Sequence, residues 1–168
     1  PFLEWEWLQL LEESSSACDE TGWHPLHLTV RRAGILVGAA PLYLKWHSRG
    51  EFVFDHVWAE VAGKIGASYY PKCLGAAPFT PVSGYAFLVH PQQDENQVME
   101  LMVRALKKMC LDNGIQSIHF HFVDQAWAWK MERFSFLRWE HQAFQWTHQG
   151  LAGFEDYLKP GAGVWTIE

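Results

Sequence analysis

Residues 94–123 read DENQVMELMVRALKKMCLDNGIQSIHFHFV and decide the fold. Asp94 and Gln97 have the spacing of a helix capping box, in which side chains satisfy the first free backbone N–H groups. The apolar residues that follow recur at helical spacing: Val98, Met99, Met102, Leu106, Met109 and Cys110. Asn113-Gly114 is a typical helix end, and the pattern predicts a strand over Ile115–Val123 directly after it.

Toward the N-terminus the pattern predicts a helix and a hairpin. Apolar residues three and four positions apart over 2–11 are interspersed with glutamates, which predicts an amphipathic helix that ends near Ser14–Ser16. Alternating residues over 26–31 and an apolar run over 35–44 flank a Gly-containing turn and predict an antiparallel hairpin. Because Pro41 has no N–H to donate, it should mark a bulge or bend in the second strand.

The segment between the hairpin and the long helix has a weaker pattern. Phe52–Phe54 resembles a short strand and Val57–Ile65 a short helix. The prolines between Tyr70 and Pro81 predict irregular backbone of a kind that often carries function.

Two more elements complete the pattern, an aromatic helix at Ala126–Phe134 and a strand at Trp139–His148. Helices and strands therefore alternate along a chain that has no internal repeat or linker. This order predicts the α/β (α+β) fold class, with a mixed, mainly antiparallel sheet flanked by helices.

The composition excludes several classes of protein. The chain has 168 residues, of which 49% are hydrophobic, 15% aromatic and 19% charged, so it is neither disordered nor collagen-like. Its 13 Lys and Arg against 19 Asp and Glu give a net charge of −6, without the basic footprint of a nucleic-acid-binding domain. It has no run of about 18 apolar residues that could span a bilayer.

The termini and the cysteines give two further expectations. Because the chain begins with Pro1, we expect it to be a segment of a longer protein. Cys18, Cys73 and Cys110 are odd in number, widely spaced and without a CxxC motif. This pattern favours a reducing, cytoplasmic compartment over a disulfide framework.

Histidines are the first candidates for metal binding. His119 and His121 would point to one face of a strand, at a spacing where two imidazoles can share Zn²⁺. A zinc site needs three or four ligands and no HExxH or CxxC motif accompanies the pair, so no metal is expected. His24 and His27 offer no better ligand set. The chain also lacks GxSxG, GxxxxGK[ST] and GxGxxG motifs.

Several short motifs occur in order along the chain: Ala39–Lys45, Glu51–His56, Tyr69–Lys72, Pro78–Val82 followed by Gly84, Gln142–Trp146 and Phe154–Leu158. Together they resemble the FemAB-like family of bacterial proteins, which is associated with peptidoglycan biosynthesis or recognition and grouped with the GNAT acyltransferases. The resemblance covers the first half of the usual family protein. It implies a GNAT-like N-terminal domain over residues 1–158 and a truncated or divergent tail over 159–168.

The resemblance also bears on the acyl donor. In acetyl-CoA-dependent GNAT enzymes a Gly-rich loop before the long helix holds the pyrophosphate with its amides. The corresponding segment, His90–Glu95, has no glycine, a proline without an N–H and two acids that repel phosphate. We therefore expect no acetyl-CoA cofactor. FemAB-type enzymes use aminoacyl-tRNA, so the resemblance implies charged tRNA as a donor, bound through the other half of the protein.

The implied reaction is transfer of an acyl or aminoacyl group to an amine of a cell-wall precursor or similar peptide. Such a transfer needs a base for the amine and donors for the oxyanion. Asp55 and His56 are the candidates for proton handling, and Tyr70, Lys72 and Thr80 for orienting contacts. Each also has a structural alternative: Asp55 could cap a helix, Tyr70 could anchor a turn and Lys72 could be solvated.

Two other hypotheses stay open. In the first, the chain is a noncatalytic module whose cleft binds a peptide or glycan through Trp58, Tyr69, Tyr70 and Phe79. In the second, it is the scaffold half of a two-domain transferase and has no ligand of its own.

Overall fold

The computed structural model describes residues 2–140, 142, 144–148, 150–161 and 163–167. It consists of two compact units, one ending at Ser135 and one beginning at Phe136. The described part of the first unit contains α1 (Trp5–Glu13), β1 (His24–Pro25), β2 (Leu28–Arg32), β3 (Ile35–Ala40), β4 (Tyr43–Lys45), α2 (His56–Lys64), β5 (Lys72–Gly75), β6 (Leu88–Val89), α3 (Glu95–Asp112), β7 (Ser117–Phe120) and α4 (Gln125–Glu132). The second contains β8 (Phe144–His148), α5 (Phe154–Tyr157) and β9 (Gly163–Ile167).

The strands form three sheets. The first has the order β1-β4-β5-β7, with antiparallel pairing except between β5 and β7, which run parallel. The second has the antiparallel order β2-β3-β6. In the second unit β8 pairs with β9 antiparallel. The predicted class, a mixed and mainly antiparallel α+β fold, is confirmed.

The predicted hairpin is present, and its second strand divides at the proline. β2 pairs with β3, and a register shift falls between Val30 and Arg31. β3 ends at Ala40, and after Pro41 and Leu42 the chain enters the other sheet as β4. Pro41 therefore marks the passage from one sheet to the other, where its carbonyl accepts a hydrogen bond from the Tyr85 hydroxyl at 2.9 Å.

Helix α3 contacts both sheets of the first unit. It packs against β2, β3, β6 and β7 and buries the apolar stripe Val98, Met99, Met102, Val103, Leu106 and Cys110. Its start is as predicted, because the Asp94 carboxylate accepts from the Gln97 N–H at 3.0 Å. A Cβ at Gly38 on β3 would lie 2.8 Å from Val98 Cγ1, so glycine permits this close packing.

Helix α1 is held by a polar contact beside an aromatic cluster. Trp23, Tyr43 and Leu74 are buried together, and Leu11 of α1 packs against them. Glu12 of α1 lies 2.8 Å from His27 Nε2. The predicted N-terminal helix is therefore confirmed and is tied to the first sheet.

Some predicted elements differ from those observed. The predicted strand at Phe52–Phe54 is wrong, because this segment is irregular and Phe52 has a φ of 57°. Two strands are shorter than predicted: β7 is confined to Ser117–Phe120, and β8 begins at Phe144. Residues 141 and 143 of the latter prediction lie outside the described residues. The predicted tail contains β9, which pairs with β8.

Among the helices in the described ranges, none is long and apolar enough to cross a membrane.

A matched pair of leucines tests the packing of α3. Leu106 is completely buried, whereas Leu111 on the same helix is 81% exposed. We expect Leu106→Ala to lower the free energy of unfolding by about 2–5 kcal/mol, since it leaves a cavity. Leu111→Ala should change it by no more than about 0.5 kcal/mol. Denaturant unfolding followed by circular dichroism measures both, and equal losses would contradict the assigned packing.

Candidate functional site

Lys72 on β5 is the centre of a buried group of charged side chains. Its Nζ donates to Asp55 Oδ2 at 2.5 Å, to Glu51 Oε2 at 2.7 Å and to Ser48 Oγ at 2.7 Å. The Lys72 and Glu51 side chains are completely buried, and that of Asp55 is nearly so. Because an unpaired charge in such surroundings costs several kcal/mol, these side chains depend on one another.

A second lysine joins the group from the neighbouring strand. Lys45 on β4 is the direct cross-strand partner of Lys72. Its Nζ lies 3.9 Å from Glu51 Oε1, donates to the Arg49 carbonyl at 3.2 Å and sits 3.7 Å above the Trp23 ring. Two cations thus face two carboxylates, and we call Lys45, Glu51, Asp55 and Lys72 the charge cluster.

The charge cluster separates the pKa values of its two carboxylates. Burial alone would raise the pKa of Asp55, but hydrogen bonds from Lys72, Ser48 and Tyr69 lower it to about 2. Burial raises the pKa of Glu51, although the Lys72 charge opposes this. A carboxylate with such a low pKa is a weak proton acceptor at neutral pH. Asp55 is therefore better suited to binding Lys72 and Tyr69 as a fixed anion.

The other groups around the cluster respond to burial as well. Burial lowers the pKa of Lys45 to about 8, against the favourable charge of Glu51. The Tyr69 hydroxyl donates to Asp55 Oδ2 at 2.7 Å, and burial raises its pKa. Within the described part of the chain, Glu51 Oε1 and Asp55 Oδ1 are buried and accept no hydrogen bond. Each of these oxygens therefore has the capacity to accept a further donor.

A cleft of about 310 Å³ in the first unit is joined to the charge cluster by His121. His121 is one of the residues that line the cleft, and its Nδ1 lies 3.8 Å from Glu51 Oε2. The other lining residues are mixed in polarity: Phe2, Leu3, Glu4, Ala77, Thr80, Val82, Ser83, Gly84, Tyr85, Leu88 and Phe122. The cleft can therefore enclose an apolar group and also contact polar atoms.

The backbone beside His121 is firmly held. The His121 N–H donates to the Gly75 carbonyl at 3.0 Å, which continues the pairing of β7 with β5. Phe122 has a φ of 54°, and its carbonyl accepts from the N–H groups of Gly84 at 2.8 Å and Tyr85 at 3.2 Å. A Cβ at Gly75 would collide with the Tyr85 and Phe120 rings, so this junction requires glycine. The position of His121 is fixed by these contacts.

One protein family matches nearly the whole chain. The model of the FemAB-like family, described as peptidoglycan biosynthesis/recognition, matches residues 1–160. The chain belongs to the FemAB-like family. No curated protein and no solved structure matches it. Membership in the FemAB-like family implies a peptidoglycan-related function and suggests a peptide or cell-wall substrate.

The structure brings four of the predicted site residues together. Asp55, Lys72 and Tyr69 are joined by hydrogen bonds, and Tyr70 reaches the same place through a 2.8 Å bond to Ser48. Lys72 is buried rather than solvated, and the Asp55 carboxylate turns to Lys72 instead of capping α2.

The remaining predicted residues lie elsewhere. Thr80 lines the cleft, and Phe79 packs against the ring of Trp23 at 5.4 Å. His56 lies on the exposed first turn of α2, and Trp58 is 49% exposed. The catalytic roles given to Asp55 and His56, and the binding roles given to the others, stay predictions.

Sequence reasoning missed Ser48 and Glu51 and considered His121 only as a metal ligand. Glu51 opens the motif that also contains Asp55, and this spacing was the available signal. The rings of His119 and His121 are 6.0 Å apart. Among the described residues, no group of three or more His, Cys, Asp or Glu side chains is arranged to hold a metal ion.

Replacing Lys72 tests the interdependence of the charge cluster. Lys72→Met keeps an unbranched side chain, one atom shorter, but leaves Glu51 and Asp55 without their shared cation. We expect the free energy of unfolding to fall by about 3–5 kcal/mol in denaturant titrations. Lys108→Met is the control, because Lys108 pairs with Asp112 on the exposed face of α3. This substitution should lower the free energy of unfolding by less than about 0.5 kcal/mol. Similar losses in the two variants would contradict the arrangement.

The lowered pKa of Asp55 predicts a specific acid sensitivity. Because its pKa falls from 3.8 to about 2 on folding, Asp55 adds stability above its unfolded pKa that is lost as the pH falls through the folded value. The stability difference between wild type and Asp55→Asn should therefore shrink by about 2 kcal/mol between about pH 5 and pH 2.

Tyr69→Phe provides the comparison for this measurement. It removes one donor to Asp55, so the pKa of Asp55 should rise. The stability that Asp55 contributes should then be lost at a higher pH than in the wild type. Unfolding curves of all three proteins across this pH range would show it. A difference that does not change with pH would mean that Asp55 is not held as a carboxylate.

Proposed function

We propose that the chain acts in the transfer of an acyl or aminoacyl group to the amine of a cell-wall peptide, and that the 310 Å³ cleft binds this acceptor. The observation that carries the proposal is the junction of the cleft with the charge cluster at His121 and Glu51. A cleft of mixed polarity that adjoins buried ionisable groups is a common setting for catalysis.

The lining of the cleft supplies the groups that such a transfer uses. The amine attacks a carbonyl carbon, and negative charge develops on the carbonyl oxygen, which donors must stabilise. Thr80 and Ser83 provide hydroxyl groups, and Glu4 provides a carboxylate that can attract an acceptor in its ammonium form. The fixed backbone at Phe122 favours binding in a single orientation.

The start of α3 supports a donor other than acetyl-CoA. Asp94 already accepts from the Gln97 N–H, and Glu95 accepts from Lys130 at 2.7 Å. The two acids therefore occupy the helix terminus at which a pyrophosphate would need free N–H groups and no negative charge. An aminoacyl ester donor does not need this site.

Noncatalytic recognition of the same peptide is the second candidate. It is favoured by the low pKa of Asp55, which makes this predicted proton acceptor a weak base. Under this hypothesis the cleft would bind the peptide, and no bond would form.

A stem peptide with a free side-chain amine distinguishes these functions. We expect calorimetry to detect its binding, and binding of the peptide acetylated on that amine to be at least about tenfold weaker, because acetylation removes the charge and adds bulk. Incubation with charged tRNA should then give an acylated peptide by mass spectrometry, and incubation with acetyl-CoA should not.

Two variants serve as the test of location. Val82→Trp fills the cleft and should abolish binding, whereas Leu111→Trp, on an exposed face of α3, should leave it unchanged. Binding without transfer from either donor would support recognition instead of catalysis. Failure of the wild-type protein to bind the peptide would contradict both functions.

A further inference from the structure

His121 belongs both to the lining of the cleft and to the contacts of the charge cluster. We propose that His121, positioned by Glu51, is the proton acceptor for the attacking amine. The inference rests on the proposed function and deepens it, since it assigns the base of that reaction. It gives Glu51 the role of a positioning residue and leaves Lys72 to hold Glu51 in place.

The first argument is the geometry of the pair. His121 Nδ1 lies 3.8 Å from Glu51 Oε2, and the same oxygen accepts from Lys72 Nζ at 2.7 Å. A carboxylate beside Nδ1 favours the tautomer that carries its proton there, and it stabilises the imidazolium formed when the ring takes a second proton. The 3.8 Å separation is longer than a hydrogen bond, and catalytic contacts often shorten only when substrate binds.

The second argument is the setting of the imidazole. His121 is only 8% exposed, yet it lines the cleft, so an acceptor bound in the cleft would meet the ring with little bulk water between them. Its backbone is fixed by the bond to Gly75 and by the left-handed Phe122 that follows. A non-glycine residue in that conformation is strained, and strain of this kind is concentrated at functional sites.

The third argument comes from the neighbouring candidates. Asp55 has a pKa of about 2, and its Oδ2 already accepts from Tyr69 and Lys72. Burial and the Lys72 charge lower the pKa of His119 to about 4, and its Nε2 lies 2.9 Å from Ser117 Oγ. Both are weak bases near neutral pH. His121 differs from both in that it lines the cleft and has Glu51 Oε2 at 3.8 Å from its Nδ1.

The proposed step is the transfer of an acyl group from an ester to an amine. The lone pair of the neutral amine attacks the acyl carbon of an ester donor, a C–N bond forms and the carbonyl electron pair moves to oxygen. The excess proton on nitrogen passes to the imidazole of His121, whose positive charge is balanced by Glu51. When the carbonyl re-forms, the C–O bond of the ester breaks, and the imidazolium returns its proton to the departing oxygen. His121 and Glu51 end in their initial states.

The kinetic test is the pH profile of peptide acylation. His121→Gln should lower the rate by about 10²–10⁴-fold and remove the rise of rate with pH that reports the free imidazole. His24→Gln is the control, because His24 is partly exposed and paired with Asp19 away from the cleft lining. An unchanged pH profile in His121→Gln would overturn the inference.

A second test does not require turnover. In ¹⁵N spectra of the imidazoles, the stem peptide should shift the His121 nitrogens of the wild-type protein and leave those of His24 in place. Glu51→Gln should lower the pKa of His121, since it removes the negative charge beside the ring.

The outcomes separate the inference from the proposed function. Peptide binding that leaves the His121 nitrogens unshifted would refute His121 as the base while the cleft remains the acceptor site. A pKa of His121 that is the same in Glu51→Gln would refute the pairing. Absence of peptide binding by the wild-type protein would instead refute the proposed function.

Discussion

An ammonium group that is removed from water has to be surrounded by acceptors, and the burial of Lys72 imposes this condition on the first unit. The chain between β4 and α2 must return two carboxylates, Glu51 and Asp55, to one nitrogen atom. Residues four apart in a strand are too far apart to do this, so the segment cannot be extended and Phe52 adopts a left-handed conformation. The same requirement directs the Asp55 side chain away from the start of α2, which therefore has no side-chain cap.

The two carboxylates of the charge cluster lie in different environments. Asp55 receives donors from Lys72 and Tyr69 and is held at low pKa, whereas burial dominates at Glu51 and raises its pKa. Environments that push the pKa values of two nearby acids apart commonly give them different roles in catalysis. Asp55 is suited to a fixed structural charge. Glu51 lies at the border with the cleft, where it can respond to the charge of His121.

The sequence was sufficient for the elements whose determinants are local. Helix α3 has its cap, its apolar stripe and its Asn-Gly end within one continuous stretch, and the hairpin has alternation on both sides of a Gly-containing turn. Strand β5 was not predicted, because the prolines between Tyr70 and Pro81 indicated irregular backbone and because Lys72 occupies a buried position that ordinarily takes an apolar residue. The charge cluster could not be derived, since its four members meet only after two strands pair and a loop folds back. The sequence drew attention to His121 through its spacing from His119. Its contact with Glu51 could not be predicted, because Glu51 lies in a distant part of the chain.

Buried charge and left-handed non-glycine residues occur together around the cleft and the charge cluster, and this combination supports the proposed site. Well-packed apolar residues often replace a buried ion network without loss of stability, so such a network is a weak source of stability. A left-handed conformation costs a non-glycine residue about 1–2 kcal/mol, and Phe79 and Phe122, beside and within the cleft lining, both adopt it. Neither feature is a strong source of stability, and the unit that contains them is held together by an extensive apolar core around α3. Fixing a carboxylate against a cleft-lining imidazole is a task that apolar packing cannot perform, and our proposal assigns this task to the charge cluster.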